Sequence, residues 1–391
     1  MKESWGFPPL MRADIDLAAL AHNYRELRRI KAPSAAMMAV VKADGYGHGA
    51  VRVSEIALEN GADRLAVARV NEAVLLRKGG ISAPLLLFGL CCPEYVAWMV
   101  DNDTRASVNS LASARTLSEE AGRRGVRLKV HVKVDTGMGR LGVVTDPLLV
   151  QDTSKTGMNR AVRSILDMSK LPHLDMEGIY THFASADSAD KRSARRQLDL
   201  FLQLLGELKK HGLEVPLRHA ANSAAIIELP ESHLDLVRPG IAQYGLWPSA
   251  ETDRGRVHLQ PVMSLKARII QLKEVPAGFK VSYGSTFETV EPTRIATIPV
   301  GYADGYDRGL SSRGTMLVRG VRAPIVGRVC MDLTMIDVSR VKGVETGDEV
   351  VMLGKQGDEE IPADEIAGLL QTINYEVVSA ITARVERRYQ T

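Results

Sequence analysis

The sequence predicts an α/β chain made of an N-terminal (β/α)8 TIM-type barrel followed by a C-terminal mainly-β domain. Two observations carry this prediction. Short apolar runs alternate with amphipathic stretches from Asp16 to about Pro239. After about Gly255 the texture changes to short strand patterns parted by Gly, Pro and Asp. The boundaries drawn are 13–255 for the barrel and 256–391 for the β domain, with residues 1–12 a candidate further strand of the latter. Alternation alone does not prove closure, so a doubly wound open sheet is the competing architecture.

Eight barrel strands are expected at Met38–Lys42, Leu65–Ala68, Leu85–Phe88, Arg105–Val108, Leu128–Val134, Glu177–Thr181, Leu217–His219 and Leu234–Val237. Helical patterns between them include Val51–Asn60, Asn71–Lys78, Ser110–Arg124, Ala161–Lys170 and Ser193–His211. In the β region the strands are Met263–Glu274, Arg294–Val300, Thr315–Val318, Ala323–Val329, Thr334–Val338 and Glu349–Leu353. One helix, Pro362–Thr372, interrupts them, with Pro362 suited to a first turn. Asp146–Asn159 is polar and poorly periodic and reads as a surface insertion.

A length of 391 residues suits two cores rather than one. With 50 basic and 47 acidic residues the net charge is only +3, which gives no electrostatic case for nucleic acid or an anionic membrane. Cys91, Cys92 and Cys330 are odd in number and two are adjacent, so no disulfide framework is implied and a reducing, cytoplasmic setting is expected. Met1–Leu10 lacks the apolar region of a secretory signal, and no apolar run is long enough to span a bilayer. No metal site is assigned.

The chemistry clusters at the ends of the expected strands. Met38–Val41 ends in Lys42, followed by Gly45, Gly47 and Gly49 around Tyr46. An amine at the end of a buried strand is poorly solvated, which lowers its pKa, and only a neutral amine attacks a carbonyl. Asp135-Thr136-Gly137-Met138-Gly139-Arg140 is a tight loop expected to deliver Arg140 inward as a planar fork for an anion. Lys133 shares a face with His131 and Asp135, and a buried lysine beside an arginine is electrostatically poor. His182 falls at the end of the sixth strand. Asn222 and Ser223 are both good N-cap residues, and a hydroxyl with the N–H groups of a helix start also holds phosphate. Gly240, after Arg238, lets backbone N–H groups approach an anion, and barrels commonly place phosphate in the loops after strands seven and eight.

These motifs resemble, in order and from about Asp14 to Arg387, those of the alanine racemases. The resemblance implies pyridoxal 5'-phosphate held covalently by Lys42. It places Arg140, His182, Asn222 and Arg238 around the cofactor, and gives its phosphate to Tyr46, Ser223, Gly240, Ile241 and Tyr375. It makes Lys42 and Tyr283 the two bases on opposite faces of Cα, Tyr283 coming from the partner of a homodimer and tuned through His182 and Arg238. Arg140, Met331, Tyr302 and Asp332 match substrate-binding positions, and Arg308, Arg328, Asp187 and Ile373 match an entrance corridor. Lys133 matches a lysine that is carbamylated in some members. The implied activity is interconversion of L- and D-alanine, supplying D-alanine for peptidoglycan. An arginine at the pyridine nitrogen weakens the electron sink that a carboxylate would strengthen, which suits a racemase. Two alternatives stay open: a fold-related pyridoxal-phosphate decarboxylase, which should carry an acidic pyridine partner, and a single-barrel pyridoxal-phosphate carrier, against which the β domain argues.

Overall fold

The computed structural model describes residues 9–145 and 156–391. Most of the expected insertion Asp146–Asn159 therefore lies outside the described residues, and its last positions open the helix Thr156–Ser169. The chain forms two compact units, one of Leu20–Gly45 and Ala50–Gln260, the other of the chain up to Ala19, Tyr46–Gly49 and Pro261–Thr391.

The first unit is the barrel. Its eight parallel strands are Ala36–Val40, Arg64–Val67, Leu85–Leu87, Thr104–Val108, Leu128–Asp135, Leu174–Tyr180, Leu217–His219 and Leu236–Val237. The last strand pairs with the first, Leu236 opposite Ala36 and Val237 opposite Met37. Between the seventh and eighth strands the ladder reduces to two flanking bonds, Asp235 N–H to Arg218 O at 3.1 Å and Arg238 N–H to Ala221 O at 3.0 Å. The open-sheet alternative is therefore excluded. Leu85–Leu87 is buried throughout, as expected of a parallel strand covered on both faces. Ser110 caps Leu111–Arg123 by accepting from Ser113 N–H at 3.2 Å.

Gln243 and Tyr244 brace the strand that leads to Lys42. The Gln243 amide donates to Val40 O at 2.6 Å and the Tyr244 hydroxyl to the same oxygen at 3.1 Å. Tyr24 O–H in turn holds Gln243 Oε1 at 2.9 Å. Each of these side chains is buried, so each polar atom needs its partner.

The second unit is built on sheets. The largest runs Val321–Pro324, Thr315–Val318, Glu349–Gln356, Met263–Arg268, Met11–Asp16 and Glu386–Gln390, with Glu359–Ile361 pairing to Glu349–Gln356. Met11–Asp16 lies antiparallel to Met263–Arg268 and parallel to Glu386–Gln390. The single long strand expected at Met263–Glu274 is two, Met263–Arg268 and Gln271–Val275, in different sheets. Ile269 and Ile270 form the crossing: Ile269 N–H bonds to Asp348 O and Ile270 N–H to Thr297 O, each at 3.0 Å. Alternation continued through a change of sheet, which periodicity cannot detect. Pro362 precedes the helix Ala363–Leu370 as its cap residue rather than lying in its first turn. The strand expected at Ala323–Val329 shortens to Val321–Pro324.

A small core of Val275, Val281, Ile295, Val326 and Met335, with Phe279, Phe287 and Cys330 against it, lies where the loop bearing Tyr283 begins and ends. Close by, Gly301 permits backbone-to-backbone approach. A methyl there would lie 2.2 Å from Met331 O and 2.3 Å from Cys330 O. Gly301→Ala is expected to cost about 1–3 kcal/mol of stability, the usual penalty for overpacking a rigid contact. Urea unfolding measures it, and an unchanged midpoint would refute the close approach.

Candidate active site

The strand Ala36–Val40 ends in an unusual backbone. Ala43 (φ 51°, ψ 51°), Asp44 (φ 52°, ψ 46°) and Gly45 (φ 61°, ψ 44°) are left-handed, and Tyr46 (φ 53°) and Gly47 (φ 83°) continue the positive φ. For non-glycine residues this conformation costs about 1–2 kcal/mol each. Local bonds offset the cost. Glu72 accepts from Ala43 N–H at 2.6 Å while its other oxygen takes Ala68 and Arg69 N–H at 2.7 and 2.9 Å. Asp44 accepts from Ala50 N–H at 2.9 Å, at the start of Ala50–Glu59. The turn leaves Lys42 half-buried. Burial first, and then the charge of Arg140, hold its ammonium below the ordinary lysine range against the opposing pull of Glu72.

Arg238 is buried at the end of the eighth strand. Its guanidinium donates to Thr181 O at 2.8 Å, Ala220 O at 2.9 Å and His219 Nδ1 at 2.9 Å, with His182 Nδ1 at 3.4 Å. Burial lowers its pKa to about 10 against the pull of Tyr180, so it stays charged near neutrality. That charge propagates. His182 is pushed well below the imidazole range by burial, then by Arg238, Lys133, Arg140 and Lys42. Lys133 donates to Val134 O at 3.1 Å and lies 5.1 Å from the Tyr180 ring centre. Burial, then Arg238, bring Lys133 down to about 7, with Arg140 adding to the fall and Asp135 opposing it.

Asp135 organises the loop after the fifth strand. One oxygen accepts from Gly137, Met138 and Gly139 N–H at 2.9, 2.9 and 3.1 Å, and the other from Arg140 N–H at 3.1 Å. Arg140 follows that loop, and its charge acts on Lys42, Lys133 and His182. Its side chain is exposed. Of the two expected caps only Asn222 serves, accepting from Ala225 N–H at 3.1 Å. Ser223 is the first helical residue, and its hydroxyl instead accepts from Gly240 N–H at 2.9 Å and Ala242 N–H at 3.2 Å. Ile241 opens the short turn that follows. The barrel unit thus holds Lys42, Lys133, Arg140, His182, Asn222, Ser223, Arg238, Gly240 and Ile241.

Asp187 also lies in the barrel unit, whereas Tyr46, Tyr283, Tyr302, Arg308, Arg328, Met331, Asp332, Ile373 and Tyr375 belong to the second unit. The rings of Tyr46 and Tyr375 lie 6.2 Å apart. Tyr283 is 72% exposed on a short turn flanked by Ser282 (φ 66°), Gly284 (φ 74°) and Ser285 (φ 49°). The Ser282 hydroxyl anchors that turn on Arg328 O at 2.7 Å. Tyr302 and Met331, both exposed, are joined by Tyr302 N–H to Cys330 O at 3.0 Å and Ala303 N–H to Met331 O at 3.1 Å. Asp332 takes Arg384 at 2.8 Å.

Several contributors escaped the sequence reading: Glu72, Gln243, Tyr180, Thr136 and Gln197. Thr136 and Thr181 hydroxyls share a bond of 2.7 Å, and Gln197 accepts from Ala184 N–H at 2.9 Å and donates to His182 O at 3.2 Å. Glu72, one of a helix's first residues, carries a weak capping signal. The rest are ordinary polar residues until the fold buries them.

The family model described as "Alanine racemase, N-terminal domain" matches residues 15–248, and "Alanine racemase, C-terminal domain" matches 262–389. The chain is similar to an alanine racemase of Desulfosudis oleivorans, 53% identical over 377 residues that cover 96% of each protein. Among solved structures it is similar to an alanine racemase of Clostridium difficile 630, with TM-score 0.91, 35% identity and coverage of 99% of this chain and 97% of that one. It is also similar to the alanine racemase from Bacillus anthracis with bound L-Ala-P, with TM-score 0.88, 36% identity and coverage of 98% and 96%.

The Lys133 amine gives a pH signature. Below about pH 7 the folded protein carries this buried ammonium and bears its full penalty. Between about pH 7 and the reference lysine value of about 10.4 the unfolded chain binds more protons, so stability rises with pH across that window. Lys133→Met should abolish this rise. Urea midpoints of both proteins measured across the window test it, and parallel curves would mean that Lys133 titrates as an exposed lysine does.

Proposed function

The chain belongs to the alanine racemase family, an isomerase of alanine, and on that premise we propose that it interconverts L- and D-alanine by a two-base mechanism with pyridoxal 5'-phosphate as cofactor. The observation that carries the reading is the pairing of a half-buried Lys42, its ammonium disfavoured by burial and Arg140, with a buried Arg238 that can only donate. The residues present fit the cofactor. The Ser223 oxygen accepts from Gly240 and Ala242 N–H, which leaves its hydroxyl hydrogen to donate to a phosphate monoester, and Arg238 suits a ring nitrogen that accepts rather than donates.

When bound, the cofactor supplies the electron-withdrawing ring that makes Cα–H acidic. Lys42 Nζ removes or returns the proton on one face of Cα, and burial and then Arg140 shift it toward the neutral amine that this task needs. The partner subunit's Tyr283 acts on the other face. Arg238 and His182 would hold the ring, and Arg238, donor-only, would keep its nitrogen unprotonated. Ser223, Gly240 and Ile241, with Tyr46 and Tyr375, would hold the phosphate, and Asn222 would serve elsewhere on the cofactor. Arg140 and the partner subunit's Met331 would orient the substrate carboxylate, and Tyr302 and Asp332 are further substrate-binding positions. A Lys133 amine near neutrality can take up carbon dioxide as a carbamate, an anion suited to hold Arg140.

The second unit supports a homodimer with shared sites. Tyr283, Tyr302, Met331, Leu333 and Ile373 are all exposed, as residues that a partner subunit covers would be in a single subunit. Among the described residues no helix is long and apolar enough to cross a membrane. We place the enzyme in the cytoplasm, supplying D-alanine for peptidoglycan.

Purified protein given L-alanine in deuterated water should yield D-alanine carrying deuterium at Cα, and Lys42→Ala should abolish the conversion. Product without deuterium would refute proton exchange at Cα. Lys42→Ala and Tyr283→Phe proteins, each nearly inactive, should recover about a quarter of wild-type activity when subunits exchange at random, since half the dimers are hybrid and each carries one intact site. Complete exchange without recovery would refute the shared site.

A further inference from the structure

The barrel core contains a run of polar side chains that the reaction above does not use. Arg238 donates to His219 Nδ1 at 2.9 Å. His219 Nε2 lies 2.9 Å from His131 Nδ1, and His131 Nε2 lies 3.0 Å from Glu177 Oε2. Glu177 in turn accepts from Arg64 at 2.9 Å and from Arg105 at 2.9 and 3.2 Å. The run starts at the end of the eighth strand, where the candidate site lies. It ends at Arg64 and Arg105, at the start of the second and fourth strands. Both imidazoles are fully buried.

The two ends dictate one polarity. A guanidinium has no acceptor, so His219 Nδ1 must accept and its Nε2 must carry the hydrogen. His131 Nδ1 then accepts, and its Nε2–H donates to a carboxylate held ionised by two arginines. Every link points the same way, from Arg238 to Glu177. A proton added to His219 would set N–H against N–H beside Arg238. A proton added to His131 would do the same against His219. Burial opposes that proton in both rings, most strongly in His219, where Arg238 adds to the effect; in His131 the Glu177 bond pulls the other way. Burial pushes Glu177 up, but the His131 and Arg105 bonds and the charges of Arg105 and Arg64 outweigh it and hold the carboxyl well below the usual range.

The backbone is shaped to admit this run. The register between the fifth and sixth strands slips at one place: Val130 faces Met176, while His131 faces Gly178. Glu177 is the extra residue of that bulge, a feature that re-aims a side chain. Gly178 gives the His131 ring its space, since a methyl there would lie 2.4 Å from Nδ1. His219 is stacked on Tyr180 at 4.8 Å and 5°, and Tyr180 is tied to Ser107 at 2.8 Å.

We propose that His219, His131 and Glu177 form a one-way hydrogen-bonded string that fixes the rotation of the Arg238 guanidinium and keeps it a pure donor, making His131 and Glu177 remote positioning residues for the reaction. The string rests on the proposed function only for its consequence: Arg238, held in one orientation, keeps the cofactor's ring nitrogen unprotonated.

His131 is the position to change, because Glu177 keeps both arginines when His131 is replaced. His131→Leu breaks the string. His131→Gln can preserve its polarity, its oxygen accepting from His219 and its amide donating to Glu177. In nitrogen-15 NMR of the full-length protein as purified, both rings should be neutral with hydrogen on Nε2 from about pH 6 to about pH 9, on either side of the free imidazole value. His131→Leu should lower kcat by about tenfold or more, change KM by less than about threefold, and alter the absorption spectrum of the bound cofactor. His131→Gln should restore kcat to within about threefold. A proton on His219 Nδ1 anywhere in that range overturns the string. So does a His131→Leu protein with wild-type kcat and spectrum, or one no worse than His131→Gln. A wild-type protein that binds no pyridoxal phosphate would instead overturn the assigned reaction, and the ring tautomers would still report on the string.

Discussion

A guanidinium buried in a barrel core needs hydrogen-bond partners, and the way Arg238 finds them shapes much of what surrounds it. Three of its N–H groups are taken by the carbonyls of Thr181 and Ala220 and by His219, so the ends of the sixth and seventh strands and the start of the loop after the seventh converge on one side chain. Its own backbone N–H bonds to Ala221 O, one of the two bonds that carry the barrel across its weakest seam. An ion removed from water is costly unless it is bonded in this way, and its field is then poorly screened. Burial first, and then that field, push His182 and His219 well below the imidazole range and bring Lys133 down to about 7.

The Lys42 turn is the second constraint. A run of positive-φ residues that includes Ala43, Asp44 and Tyr46 is strained, and strain of this kind persists only where surrounding bonds over-determine it. Glu72 and Asp44 supply them from within the barrel unit, and Gln243 and Tyr244 hold the strand just before. The result is an amine placed by backbone geometry rather than by a flexible loop, which is what preorganised chemistry requires.

The second unit solves a different problem. Its apolar cluster under Val281 and Phe287 makes a firm base for a short turn, and that turn carries an exposed tyrosine instead of burying it. The ring stands exposed on a strained, anchored turn, and Tyr302 and Met331 are exposed as well.

The sequence by itself determined the architecture class and most of the strand positions. The barrel strands are buried on both faces and read as apolar runs whatever their neighbours, and their ends carry the chemistry. It also determined Lys42, His182 and Arg238 as residues at strand ends, because a charged or imidazole side chain closing an apolar run is visible locally. Only the tertiary structure decided closure of the barrel, since two backbone bonds across one seam leave no mark on composition. It decided that Met263–Glu274 is cut between two sheets, that Ser223 bonds to Gly240 instead of capping, and that Arg140 stays exposed. It also decided the string from Arg238 to Glu177, whose members lie up to 107 positions apart along the chain between His131 and Arg238 and meet only inside the barrel. Periodicity reports which face of a strand is apolar. It does not report which polar side chains from different strands will be packed against one another, because burial and hydrogen-bond polarity are properties of the assembled core.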